Sequence, residues 1–167
     1  MDEVLEVPPE PGEEDVAMLM GTVPERVADL VMGLDEPRLR YRHGPAFPSL
    51  TEIVRHLCDA GTGVDVLLRH AYLDKQRDLR LRATIDPQPP LQPDLGPSLD
   101  EQLHNFGRVR RRTVDLLRGL TEYDWAATIN DPEQGELTLL EVCRQVTRHE
   151  LGHVVQIRNL IAVLPEA

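Results

Sequence analysis

What the sequence lacks first is positive charge: 18 Lys and Arg stand against 29 Asp and Glu, a formal net charge of −11. That balance excludes the basic face that phosphate backbones require and argues against docking on anionic lipid, so no nucleic-acid or membrane partner is expected. Lysine is nearly absent, with Lys75 alone, and the preference for arginine points to a G+C-rich, bacterial coding genome. No apolar run approaches the ~20 residues of a spanning helix, and the start shows no basic stretch followed by an apolar one. The expected location is therefore cytoplasmic. Cysteine is scarce too: Cys58 and Cys143 lie far apart on or beside apolar helix faces. They read as reduced thiols, not as a disulfide or a Cys-x-x-Cys site. No convincing strand pattern is found.

What is present is helical periodicity. A chain of 167 residues can bury roughly 70% of its unfolded surface around one core. Residues 1–12, acidic and carrying Pro8, Pro9 and Pro11, read as a flexible lead-in to a single domain over 13–167. The first apolar stripe is Val16, Leu19, Met20, Val23, Val27, Leu30, Val31 and Leu34. It keeps its phase across Pro24, which predicts one kinked helix instead of a restart capped by Thr22. Asp35 to Pro48 is a connection. Ser49 and Glu52 then form the capping box of a second helix, with Leu50, Ile53, Val54, Leu57, Val64, Leu67 and Leu68 as its stripe. Gly61 and Gly63 inside it each cost roughly 1 kcal/mol relative to alanine, and mark either a bend or, the reading preferred, the small-residue wall of a cavity beside His56. Leu73 to Pro97, charged and then rich in proline, is a long crossover.

Ser98 and Glu101 open the third helix, striped by Leu99, Leu103, Phe106, Val109, Thr113, Leu116 and Leu120. Arg108, Arg110, Arg111 and Arg112 fall mostly on its outer side. The cluster reads as a solvated face; Arg110 lies close to the stripe, and a reach from there to an anionic substrate is the reading not adopted. A connection from Thr121 to Glu136 leads to Thr138 and Glu141, the capping box of the fourth helix. The expected fold is all-α: an up-down-down-up four-helix bundle with a long crossover between helices two and three. The short links are expected to pair helix one with two and three with four.

The fourth helix organises the rest. His149-Glu150-Leu151-Gly152-His153 places two imidazoles four residues apart on one helix face, where both can bind a single metal ion. The stripe of Leu139, Val142, Cys143, Val146, Ile157, Leu160, Ile161 and Leu164 passes through both histidines, so they face inward. Buried neutral imidazoles need a metal or a set of hydrogen-bonding partners. His56, on the flank of the second stripe, is the third candidate. Three protein nitrogens leave positions open on the metal, as catalytic sites do and structural ones do not. Imidazole donors suit nickel or zinc.

Glu150 is turned about a quarter of the way round the helix from His149, so it reads as a carboxylate behind the ligands or on the surface and not as a base; Gln156 follows His153 by three and is placed to steady the site from behind. His43, His70 and His104 have no second histidine at helical spacing and read as surface residues. The same run matches the His-Glu-x-x-His of zinc proteases, where the glutamate is the general base. That reading is set aside, because Asn159 stands where the extended motif has histidine and no strand is available to align a peptide. The bland alternative leaves all three histidines as hydrogen-bonded core residues.

Taken together, Pro48-Ser49-Leu50-Thr51-Glu52-Ile53-Val54-Arg55-His56-Leu57 and Leu139-Leu140-Glu141-Val142-Cys143, leading into His149-Glu150-Leu151-Gly152-His153-Val154-Val155-Gln156-Ile157, resemble the DinB/YfiT-like superfamily. The resemblance spans about Val16 to Leu164. Its most specific part is a lone histidine early in helix two with a His-x-x-x-His pair on helix four. It implies a bundle in which three histidines bind a divalent metal, here His56, His149 and His153. The chain departs from the pattern at Pro48-Ser49, where many members have Trp-Ser, so the wall at the start of helix two, and the substrate with it, would differ. Members that use mycothiol or bacillithiol imply a transferase or isomerase whose metal ionises a low-molecular-weight thiol to attack a small electrophile. A non-catalytic metal-binding stress-response protein and a metal-dependent hydrolase are the alternatives. The resemblance also implies a homodimer.

Overall fold

The computed structural model describes residues 8–86 and 97–165. Four long helices carry the architecture: α1 (Glu13–Val31), α3 (Leu50–Tyr72), α5 (Leu99–Arg118) and α7 (Leu139–Ile161). Between them lie the short helices α2 (Glu36–Leu39), α4 (Leu81–Ile85) and α6 (Glu122–Trp125) and the strands β1 (Thr128–Asp131) and β2 (Gly135–Thr138). The expected lead-in falls largely outside the described residues, as do Pro87, Pro89, Pro90 and Pro93 of the crossover. The three expected capping boxes form: the hydroxyls of Ser49, Ser98 and Thr138 accept from the backbone N–H three residues on. The carboxylates of Glu52, Glu101 and Glu141 accept in return from the capping residues' own N–H groups. Each box satisfies donors that a helix start would otherwise leave bare. α1 starts instead at Gly12, whose N–H donates to Asp15 Oδ2 at 3.0 Å, and it continues unbroken through a buried Pro24.

Helix directions follow from which ends share a core. The first residues of α1 and α7 (Val16, Met20; Leu139, Cys143) pack with the last turns of α3 and α5 (Leu68, Ala71; Leu117). At the other end Val27 and Ile157 pack with Leu50, Leu57 and Phe106. The bundle is therefore up-down-down-up. Because α3 and α5 run parallel, the chain must travel the length of the bundle between them, which is why the crossover is long.

Two expectations are corrected. Helices one and two, and three and four, are not packing pairs: α1 packs on α5 and α7, α3 packs on the same two, and α1 lies diagonally across the core from α3, as α5 does from α7. The links of 32–49 and 119–138 are long enough to cross an end of the bundle, so they did not fix adjacency. The segment read as an unstructured connection after α5 also contains an antiparallel hairpin, Ile129 opposite Leu137 and Asp131 opposite Gly135. Gly135, at φ 81°, takes the left-handed conformation that the turn into β2 needs. The hairpin recruits the crossover: Asn130 N–H donates to Arg77 O and Asn130 O accepts from Leu79 N–H. Asp131 Oδ2 accepts from Leu81 N–H at 2.8 Å, while its Oδ1 caps the turn at Glu133 and Gln134. Burial raises the Asp131 carboxyl, but these three backbone donors outweigh it and hold it below its ordinary value.

The cavity expected beside His56 is not built by the two glycines. A Cβ on Gly61 would stand 2.6 Å from the Phe106 ring, and one on Gly63 would stand 3.1 Å from Thr84 Cγ2. Both glycines instead let neighbours touch the α3 backbone, α5 through Phe106 and α4 through Thr84.

Candidate functional site

Antiparallel packing of α3 against α7 brings the second turn of α3 to the second half of α7. His56 Nε2 lies 3.2 Å from His149 Nε2, and His149 Nε2 lies 3.1 Å from His153 Nε2. Among the described residues these three form a group whose donor atoms all fall within 4.8 Å of one another and could hold a metal ion. The spacing on α7 does what a four-residue step does on any helix, setting two rings on one face, here edge to face with centroids 4.5 Å apart. All three are part-buried. The remaining histidines, His43, His70 and His104, are exposed, as expected; His43 meets only the edge of Phe47, at 5.9 Å.

Two of the three imidazoles, His56 and His149, are held toward the neutral form. Burial, reinforced by the neighbouring rings, pushes His149 down to about 4. Burial and then His153 lower His56, against a smaller opposing pull from Asp86 and Asp59. Gln156 Oε1 lies 2.8 Å from His153 Nδ1. An amide oxygen can only accept, so Nδ1 carries a proton, and in the neutral ring that leaves the Nε2 lone pair facing the cluster. Three Nε2 atoms facing one another cannot all be satisfied by each other's protons, and His149 Nδ1 is buried without a partner. A cation that accepts three lone pairs resolves that conflict, so the donor set fits a metal.

Glu150 does not steady a histidine. It is 1% exposed and pairs across the diagonal of the core with Arg110 of α5, itself 1% exposed. Arg110 accordingly does not reach for a substrate: Phe106 and Leu117 lie in phase with it, and the helix turns it inward. The periodicity held the signal, since Arg110 is four residues after Phe106 and three before Thr113 on the buried face. The two cysteines are free and buried. Burial pushes both thiols up to about 12, so neither supplies a thiolate.

One residue near the cluster carried no signal in the sequence. Asp86, just after α4, sets Oδ1 3.6 Å from His56 Nε2 and 3.5 Å from His149 Nε2. It belongs to the crossover, and only the seating of α4 on α3 and the hairpin brings it there.

No helix among the described residues is long and apolar enough to cross a membrane. No curated protein matches the chain. Among solved structures, one described as "YfiT from Bacillus subtilis is a probable metal-dependent hydrolase with an unusual four-helix bundle topology" is similar with a TM-score of 0.74 and 15% identity, over 97% of this chain and 92% of that one. At that identity the likeness establishes the fold alone. Residues 19–157 match the sequence profile of the DinB superfamily. That stretch contains the three histidines, all of α3, most of α7 and most of the bundle, and the chain belongs to the DinB superfamily.

Proposed function

We propose that His56, His149 and His153 hold one divalent transition metal, nickel or zinc, and that the site serves a transferase or isomerase in which a low-molecular-weight thiol, bacillithiol or mycothiol, attacks a small electrophile. The observation that carries this reading is the convergence of three imidazole Nε2 atoms, two of the contacts at 3.1 and 3.2 Å, with no arrangement of protons to satisfy them. A cation held there supplies Lewis acidity at positions the protein leaves open, where an incoming thiol ionises. The chain's own part is to keep His56 and His149 neutral by burial and to fix the His153 tautomer through Gln156. Cys58 and Cys143 are sealed in the core, so the reacting sulfur comes from outside.

Hydrolysis is the second reading, favoured by the likeness to a structure described as a probable metal-dependent hydrolase; water then takes the thiol's place. Elemental analysis of protein purified without chelator tests the site. One equivalent of metal is expected, and His149→Ala should lose it. Titrating cobalt-substituted protein with bacillithiol and mycothiol then separates the two readings. A sulfur-to-cobalt charge-transfer band that His153→Ala abolishes supports the thiol. If neither thiol perturbs the spectrum while cobalt stays bound, hydrolysis takes its place.

A further inference from the structure

We infer that Asp86 is a fourth protein donor to the metal, delivered from the crossover. The inference rests on the three-histidine reading and goes beyond it. Metal–nitrogen and metal–oxygen bonds of about 2.0–2.2 Å put neighbouring ligand atoms of a tetrahedron about 3.4 Å apart. The Asp86 Oδ1 distances to His56 and His149, 3.6 and 3.5 Å, are edges of that length. So are the two histidine contacts, within a few tenths of an ångström. Asp86 stands outside the trio whose donors all lie within 4.8 Å of one another, so it sits beside the His56–His149 edge. Its side chain is 59% exposed, and ligation requires it to turn toward the shared centre.

The seating of α4 shows that this approach is built into the fold. Leu81 is 1% exposed within the core, and its N–H is held by Asp131 of the hairpin at 2.8 Å. Thr84 lies over Gly63 of α3, where any larger residue would push it away: its Cγ2 is 3.1 Å from where a Cβ would stand. Asp86 N–H closes the last turn on Arg82 O at 2.9 Å. The carboxylate is thus two residues beyond a contact with the helix that carries His56. A carboxylate among three imidazoles adds one negative charge to the donor set, hardens it and favours zinc or nickel over softer cations. It also leaves fewer positions for an external nucleophile, since three nitrogens and one oxygen complete a tetrahedron and a further ligand requires a fifth position.

The test is zinc affinity by competition with a chromophoric chelator, together with the visible spectrum of the cobalt form, for wild type, Asp86→Asn and Asp86→Ala. Both variants should bind zinc roughly 10–100-fold more weakly, as losses around a metal commonly do. Their cobalt bands should change in position and intensity as the oxygen donor leaves. Denaturant midpoints of the metal-free proteins should match, because Asp86 is exposed and buries nothing. If zinc affinity stays within twofold of wild type and the cobalt spectrum is unchanged, Asp86 is not a ligand, while the three-histidine site stands. If wild type itself holds no zinc or cobalt, the three-histidine reading fails and takes this inference with it.

Discussion

The buried Arg110–Glu150 pair allows a quantitative test of how the core tolerates charge. Both side chains are almost wholly enclosed, at 2% and 1% exposure, and Arg110 Nε and Nη1 and Glu150 Oε2 have no hydrogen-bond partner. The pair is therefore incompletely repaid for its loss of water. In agreement, burial raises the Glu150 carboxyl more than Arg110 pulls it down. At hydrogen-bonding range, about 3 Å, and an effective dielectric of about 20, the gross attraction is roughly 5 kcal/mol. Desolvation of two ions consumes most of that. Glu150→Leu, which leaves the arginine with no counter-charge, should cost about 3–5 kcal/mol, a large part of the 5–15 kcal/mol typical of a folded domain.

Arg110→Met should behave differently, because a carboxyl can neutralise itself by taking a proton and a guanidinium cannot. With Arg110 gone, Glu150 has a folded pKa above its unfolded value, so its contribution is intact below the unfolded pKa and is lost as pH rises through the folded one. Arg110→Met should accordingly be closer to wild type at pH 5 than at pH 8. The double variant Arg110→Met/Glu150→Leu, apolar on both sides, should recover to within about 1 kcal/mol of wild type or exceed it. It forfeits only the contact of the guanidinium with the Phe106 ring, 5.3 Å away, worth about 0.5–2 kcal/mol. Urea denaturation of the four metal-free proteins at both pH values completes the cycle. Additive single losses, or a Glu150→Leu midpoint equal to wild type, would refute the buried-charge account.

Three further outcomes are expected. Metal-free protein should lose stability as pH falls from about 6.5 toward about 4, because His149 is pushed down to about 4 when folded and the unfolded chain binds the extra proton across that window; a flat denaturant midpoint from pH 7.5 to 5 contradicts it. Gly152→Ala, with open space around the added Cβ, should raise stability by up to about 1 kcal/mol, whereas Gly61→Ala, 2.6 Å from Phe106, should lower it by about 1–2 kcal/mol after the same propensity gain, both read by thermal melts. Sedimentation at micromolar concentration should show a dimer, since Phe47, Val155 and Val163 expose roughly half their surface around one groove; a monomer removes that expectation.

The long helices were legible because their apolar stripes, capping pairs and proline breaks are local signals, written within a few residues of where they act. The histidine trio was legible for a similar reason on α7, where a four-residue spacing is itself geometry, and His56 was found through its place beside a stripe. The rest depended on contacts between distant segments. The strands of the hairpin are four residues long, too short for alternation to stand out, and they hold because Asn130 and Asp131 grip residues 77–81. Asp86 has no periodicity or motif around it. Gly61 and Gly63 announced a need for room, but not whether the room would be empty; Phe106 and Thr84 fill it. Arg110 could have been placed inward from its phase alone, had charge not been taken to outweigh position.

The diagonal placement of α1 against α3, and of α5 against α7, bears on how the chain folds. In an up-down-up-down bundle each helix finds its neighbour across a short loop, and a helical hairpin forms early from local contacts. Here α1 must wait for α5 and α7, and α3 meets α5 only across the crossover. Loop closure over such separations comes before any reward from burial, so refolding should be slow for an all-helical chain of this size. For the same reason a fragment ending in the crossover contains α1 and α3 without either of the helices they pack against. It has no partner for its apolar faces until the second half is made, and the metal-binding geometry, shared between α3 and α7, can arise only in the last step.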